Sequence, residues 1–288
     1  KSLKADIHVY DQRSKERVNS YINKLGKIKE CVTTGLVSPD ELALKDLIIL
    51  SSDIDYKSSF LNKAKEAGVP IEYQEILFLK YSPNITLFGI SGSCGKTAIS
   101  KMLNSIFEKS FTNTNQNYFY IDRESSMGRI VNLKKIKAGD LVIMDIPECM
   151  IAEYKRSRIN PHIAIITSLT SRGNGSENEV FSLLENQTYN NFIIAPDHII
   201  DILRKRVSFT ARAKIFRTRT GIVPSNWNIN RKDINNLENI SLVVQASEIF
   251  KVDKDLIREV VERFKGIKGH LEFIKNIKDE LYKRSNFV

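Results

Sequence analysis

One stretch limits what this chain can fold into more than any other: Ile85-Thr-Leu-Phe-Gly89-Ile-Ser91-Gly92-Ser93-Cys94-Gly95-Lys96-Thr97. An apolar run enters a glycine-rich turn, and the turn passes straight into residues with helical spacing. Ile99, Met102, Leu103, Ile106 and Phe107 recur at intervals of three and one, which places them on one face of a helix. A strand, a tight loop and a helix N-terminus form a phosphate cradle, because backbone N–H groups converge where the helix dipole favours negative charge. Gly92 and Gly95 let the backbone approach phosphate oxygens, with Ser93 and Cys94 between them supplying further amides. Lys96 offers a cation to the β- and γ-phosphates and is the candidate catalytic residue, and the Thr97 hydroxyl is a candidate Mg²⁺ ligand. The spacing is G-x-x-G-K-T, shorter than the G-x-x-x-x-G-K-T form, since Ile90 stands where the first glycine would be.

Such a loop needs a carboxylate on the metal side, from a neighbouring strand end. Leu141-Val-Ile-Met-Asp145 has that form, four apolar residues followed by an aspartate, and Asp145 is the second candidate metal ligand.

The rest of the chain sets these elements in an α/β frame. Apolar runs at Asp46 to Leu50, Pro70 to Tyr73, Ile163 to Thr167 and Phe192 to Ala195 read as buried parallel strands, and Asp6 to Tyr10 as a short strand. Ser58 to Ala67 reads as a helix ended by Gly68, and Tyr81 to Asn84 as a linker. Residues 207–231 suggest a short β or loop excursion, with Trp227 packing locally. The expected fold is therefore α/β: a small Rossmann-like N-terminal domain over 1–80 whose first strand is missing, then a P-loop central domain with a mostly parallel sheet over 81–266. Residues 267–288 read as the start of a truncated further domain. A length of 288 residues suits two domains.

Composition excludes other classes. With 42% hydrophobic and 27% charged residues the chain is neither disordered nor built of membrane spans. Cys31, Cys94 and Cys149 are far apart and imply neither a disulfide framework nor a zinc site, which fits a reducing cytoplasm. The net charge of +10 comes from scattered basic residues without a nucleic-acid motif, so an anionic small molecule is the expected partner rather than nucleic acid or membrane.

The loop Ser91-Gly-Ser-Cys-Gly-Lys-Thr97 resembles the TGTNGKT loop of the Mur ligases, the ATP-dependent amide ligases of peptidoglycan synthesis. The resemblance runs along nearly the whole chain and is strongest to the members that join D-glutamate to UDP-N-acetylmuramoyl-L-alanine. Asp11-Gln12-Arg13 resembles the D-x-R at the uridine site, Asp46 to Ile54 the DLVVxSPGI segment, Gly68 to Phe78 GIPV…EIELF, and Ile163 to Ser168 the ITN strand. Glu185 to Asp197 resembles ENQ…VVNADD, Asn235 to Asn239 the HNxxN motif, and Phe264 to Glu272 FxGxxHRLE. The resemblance implies that Lys96 and the loop hold ATP and that Thr97 and Asp145 hold Mg²⁺. It also implies that Asn236 contacts adenine, and that Asp11, Gln12 and Arg13, with Ser126 in the loop matching G-N-I-G, face the UDP-linked substrate. A cytoplasmic monomer acting on small molecules is implied as well.

The departures from that family lie together. Ser171 to Gly175 has no histidine where a second metal is served, and Val180 to Leu184 has no lysine where the family carries a carbamylated one. Pro147 to Met150 replaces S-S-F-Q, His270 replaces an arginine, and Lys283 to Asn286 replaces N-D-S-K. The segment between Ser176 and Glu185 is shorter than the family pattern. Poor or absent catalysis by this chain alone is the expectation. A nucleotide-binding relative without turnover is the second reading, and a P-loop kinase without ligase chemistry a third. His8, His162 and His198 read as packing or surface residues.

Overall fold

In the computed structural model the described residues are 5–112, 117–121, 133–169, 180–185, 187–205, 212–229, 234–266, 270–277 and 280–285. They divide into two compact units, Lys1–Leu77 and Phe78–Val288.

In the first unit, β1 (Val9–Asp11) leads to α1 (Lys15–Ile22), a 3₁₀ stretch over Asn23–Cys31, and β2 (Val32–Thr34), which pairs in parallel with β1. Then come α2 (Pro39–Ala43), β3 (Ile48–Leu50), α3 (Asn62–Glu66) and β4 (Ile71–Tyr73), with β4 parallel to β3. Ser38 starts α2 by accepting the Glu41 N–H, with Pro39 at the first helical position. The apolar run at 46–50 is covered on one face only: Ile48 and Leu50 are buried and Ile49 is exposed. A two-stranded pair buries one side, so the expected two-sided burial fails here. The expected strand over 6–10 is confined to Val9–Asp11, starting three residues later and ending one residue later. The expected helix over 58–67 is a 3₁₀ turn at Ser59–Leu61 followed by α3.

Helix α4 (Gln74–Tyr81) runs through the division between the units, and the expected linker at 81–84 begins at its last residue.

The second unit is a six-stranded sheet of β5 (Thr86–Ser91), β6 (Tyr118–Ile121), β7 (Leu141–Asp145), β8 (Ile163–Ile166), β9 (Phe192–Pro196) and β10 (Lys214–Thr218). The order is β10-β9-β8-β5-β7-β6, and every pairing is parallel. The sheet is an α/β core of the expected kind. β6 was not foreseen, and the basic excursion at 207–231 supplies the edge strand β10. The chain leaves β5 toward β6 and β7 on one side and returns to build β8, β9 and β10 on the other. A sheet that reverses order in this way gathers its loops in a crevice beyond the C-terminal strand ends.

Helix α5 (Lys96–Phe111) follows β5 at once. Its foreseen face, Ile99, Met102, Leu103, Ile106 and Phe107, is fully buried. This face packs with Phe88, Ile90 and Ile143 of the sheet, with Leu242, Val243 and Ala246 of α8 (Ile234–Ile249), and with Ile257, Val260 and Val261 of α9 (Lys254–Arg263). Between α5 and α8 the chain also forms α6 (Ile151–Arg156) and α7 (Asp197–Arg204). Phe107 sits among Phe88, Phe111 and Phe250, with ring centroids 6.3, 5.1 and 5.0 Å away. Burial of each such side chain contributes about 1.5–3 kcal/mol. Trp227 belongs to this same core, at 6% exposure, and not to a local loop cluster.

The last residues form an antiparallel hairpin, β11 (His270–Ile277) with β12 (Glu280–Ser285). No helix among the described residues is long and apolar enough to cross a membrane. Cys31, Cys94 and Cys149 are not joined in disulfides.

Candidate phosphate-binding site

Parallel register aligns the C-terminal ends of three strands. Ile90 of β5 pairs with Asp145 of β7, and Ser91 pairs with Ile166 of β8. The loop after β5 therefore emerges between a carboxylate on one side and Thr167-Ser168 on the other.

The loop is curled rather than extended, and glycine makes this possible at two points. Gly92 has φ +131° and Gly95 φ +86°, both in the region that L side chains rarely enter. A Cβ at Gly92 would run into the Thr167 hydroxyl and lie 2.8 Å from both N and O of Ser168. A Cβ at Gly95 would lie 2.5 Å from Oδ1 of Asn239.

Gly95 is the N-cap of α5 and has no side chain to cap it. The first N–H groups of the helix, from Gly95 to Ala98, thus have no partner within the helix, and the positive end of its dipole faces the loop. Thr97 is exposed in the first turn. The Lys96 ammonium turns back onto the Gly92 carbonyl.

Both flanks of the loop are tied down. Toward β7, the Ser91 hydroxyl donates to the Ile146 carbonyl at 3.2 Å, and the Ile146 N–H donates to the Ile90 carbonyl at 2.8 Å. Toward β8, the Thr167 N–H donates to the Ser91 carbonyl at 2.9 Å, and the Thr167 hydroxyl donates to the Cys94 carbonyl. Ser168 accepts the Cys94 N–H at its hydroxyl, at 2.9 Å. Asp145 is buried at 7% exposure, at the end of a strand whose other residues are all buried.

These groups suit a nucleotide with Mg²⁺. Magnesium on a nucleotide takes one or two protein oxygens and otherwise phosphate and water. One hydroxyl in the first turn of α5, that of Thr97, and one carboxylate at the end of β7, that of Asp145, match that demand. Among the described residues no cluster of three or more His, Cys, Asp or Glu could form an all-protein metal cage.

The other sequence candidates divide. Asn236 lies half-buried on α8, one turn before Asn239, and it is Asn239 that reaches the loop. The motif Asn235 to Asn239 pointed to this helix, but only packing shows which asparagine covers Gly95. Ser126 lies outside the described residues, as do Ser171 to Gly175. Val180, Phe181, Leu183 and Leu184, in the segment where the family carries a lysine, are buried apolar side chains. Gln187 is buried too, and its amide donates to the Pro161 carbonyl at 3.0 Å, a structural tie at the start of β8.

In the first unit Asp11 ends β1, and Arg13 clasps it with two bonds, Nε at 2.9 Å and Nη2 at 2.7 Å. The guanidinium holds the Asp11 carboxyl below the usual carboxylate range. Gln12 is exposed between them. The hydroxyl of Tyr73 donates to the Ile54 carbonyl at 2.8 Å and accepts the Tyr56 N–H at 2.9 Å, which fixes the turn after β3.

No family model matches the chain. It is similar to the UDP-N-acetylmuramoylalanine--D-glutamate ligase of Clostridioides difficile, 21% identical over 309 residues covering 97% of this chain and 66% of the relative. The ligase of the same name from Christiangramia forsetii is 25% identical, over 82% of this chain and 58% of the relative. The chain thus spans less than two thirds of the length of these curated relatives. Among solved structures, a murein peptide ligase of Psychrobacter arcticus aligns over 99% of this chain and 68% of its own with TM-score 0.61 at 12% identity. MurF of Acinetobacter baumannii aligns over 84% of this chain and 64% of its own with TM-score 0.54 at 14% identity. At these identities the structural likeness establishes the shared fold.

Proposed function

We propose that the chain binds Mg²⁺–ATP at the loop between β5 and α5 and serves a Mur-type ligase, an ATP-dependent enzyme that joins an acid to an amine in peptidoglycan precursor synthesis. The observation that carries this reading is the curled Gly92–Gly95 loop, opening onto the uncapped N-terminus of α5 with Asp145 in register on the adjacent strand.

The chain's own groups have distinct tasks in this reading. Amides from Ser93 to Ala98 hold phosphate oxygens. Lys96, freed from the Gly92 carbonyl, neutralises charge on the transferring phosphoryl group. Thr97 and Asp145 would hold Mg²⁺, which supplies further charge neutralisation when bound. Asn236 and Asn239 lie on the helix that borders the purine side, and Asp11, Gln12 and Arg13 serve the UDP end of the acyl substrate. In the net reaction a carboxylate oxygen attacks the γ-phosphorus and ADP leaves. An amine nitrogen then attacks the acyl carbon, expelling phosphate and giving up a proton.

The names of the curated relatives, similar over 97% and 82% of this chain, support D-glutamate as the amine and UDP-N-acetylmuramoyl-L-alanine as the acid. A second reading, nucleotide binding without turnover, draws support from the apolar packing of Val180 to Leu184, where no lysine is available to a second metal.

One assay separates the two. The chain is incubated with ATP, Mg²⁺, UDP-N-acetylmuramoyl-L-alanine and D-glutamate, and phosphate release is followed. Release that needs both substrates supports the ligase, and ATP binding with no release supports the second reading. Lys96→Ala should weaken ATP binding by at least tenfold, since a hydrogen bond to a charged group is worth about 1.5–3 kcal/mol. Unchanged affinity in that variant would remove the loop as the site.

A further inference from the structure

Ser168 lies against the phosphate loop through several contacts. Its hydroxyl accepts the Cys94 N–H at 2.9 Å, lies 2.8 Å from the Ser93 hydroxyl and takes the Cys94 thiol at 3.2 Å. Its carbonyl accepts the Ser93 N–H at 3.4 Å. Ser168 can come this close because residue 92 has no Cβ, which would otherwise lie 2.8 Å from the Ser168 backbone. The sheet fixes its position, because Thr167 extends the β8 to β5 pairing by one residue.

We propose that Ser168 is a positioning residue of the loop, its hydroxyl holding the Cys94 N–H in the place that a phosphate oxygen takes. The inference rests on the reading of this loop as a nucleotide site. Nucleotide then enters by exchange: the Cys94 amide gives up a neutral hydroxyl for a charged oxygen, and the Lys96 ammonium gives up the Gly92 carbonyl for phosphate. Charge-assisted bonds are about twice as strong as neutral ones, so the phosphate wins the exchange. Its net affinity is nevertheless lowered by the worth of the neutral bond it displaces. Ser168 thus trades affinity for a loop that is already curled when ligand arrives.

A strut and a stand-in predict opposite signs when the hydroxyl is removed. If Ser168 merely braces the loop, its loss weakens nucleotide binding. If it occupies a phosphate position, its loss strengthens binding.

The experiment is calorimetric titration of the 288-residue chain with Mg²⁺–ADP, in wild type and in Ser168→Ala, Ser168→Thr and Lys96→Ala. The expected result is affinity about three- to tenfold tighter in Ser168→Ala, the worth of one neutral hydrogen bond. Affinity in Ser168→Thr, which keeps the hydroxyl, should stay near wild type, and in Lys96→Ala it should fall at least tenfold. Weaker or unchanged affinity in Ser168→Ala, with Lys96→Ala still defective, overturns the proposal and leaves the nucleotide site standing. Wild-type affinity in Lys96→Ala overturns the site itself. Should Ser168→Ala fail to fold by circular dichroism, Ser168→Gly carries the same comparison.

Discussion

The carboxamide of Asn239 covers Gly95, with Oδ1 2.5 Å from where a Cβ on that glycine would sit. A helix more than 130 residues away in sequence thus closes one side of the loop, and it can do so only because position 95 lacks a side chain. Gly95→Ala adds a methyl where there is no room and at φ +86°, where a non-glycine residue is strained by about 1–3 kcal/mol. We expect the variant to melt earlier and to bind Mg²⁺–ADP at least tenfold more weakly. Thermal unfolding and titration calorimetry measure both. Adding Asn239→Gly should recover part of the stability, because the clash is relieved while the backbone strain remains.

On the proposed reading Asp145 serves a cation beside the loop. Wild-type affinity for ADP should rise with Mg²⁺, and Asp145→Asn should reduce that rise by about tenfold while ADP without Mg²⁺ binds much as before. Titration of ADP with and without Mg²⁺ gives the comparison. An equal Mg²⁺ effect in both proteins would remove Asp145 from the metal.

His162 makes the second unit sensitive to acid. Its Nδ1 accepts the Leu87 N–H at 3.0 Å, which requires an unprotonated nitrogen, and partial desolvation holds the ring below its ordinary value near 6.5. In the sign that follows, the unfolded chain takes up the proton first as pH falls. The contribution is therefore complete above about pH 6.5 and is lost below it. Urea midpoints at pH 5 to 8 should fall on the acid side in wild type and fall less in His162→Asn. A steeper fall in the variant would contradict this.

Phe107 lies at the centre of the aromatic cluster between the sheet and α8. Phe107→Ala should cost about 3–5 kcal/mol, because Phe88, Phe111 and Phe250 cannot all collapse into the space left. Urea unfolding followed by fluorescence measures it directly, since Trp227 is the one tryptophan and lies in the same core.

Strands β7 and β8, the phosphate loop and the buried face of α5 were legible from local pattern. Each combines a strong apolar period with a residue type that has one structural use, such as the glycines of the loop or the aspartate ending β7. β6 was not legible, and for β10 the excursion at 207–231 left strand and loop both open. Tyr118–Ile121 is only partly buried at its first three residues, and Lys214–Thr218 carries cations at 214 and 217, a spacing that breaks the two-residue alternation of a strand. Edge strands show weak alternation, because one of their sides has no neighbour to select for apolar residues. Trp227 was misplaced for a related reason: polar neighbours in sequence say nothing about a core assembled from α5, α8 and α9.

By itself the sequence determined which groups could hold a phosphate, because the spacing of Gly92, Gly95, Lys96 and Thr97 acts through backbone and helix geometry that are local. It did not determine what surrounds them. Register between parallel strands far apart in the chain brought Asp145 and Ser168 to opposite flanks of the loop, and helix packing set Asn239, not Asn236, over Gly95. Those relations depend on contacts across tens of residues, and such contacts exist only once the sheet has closed.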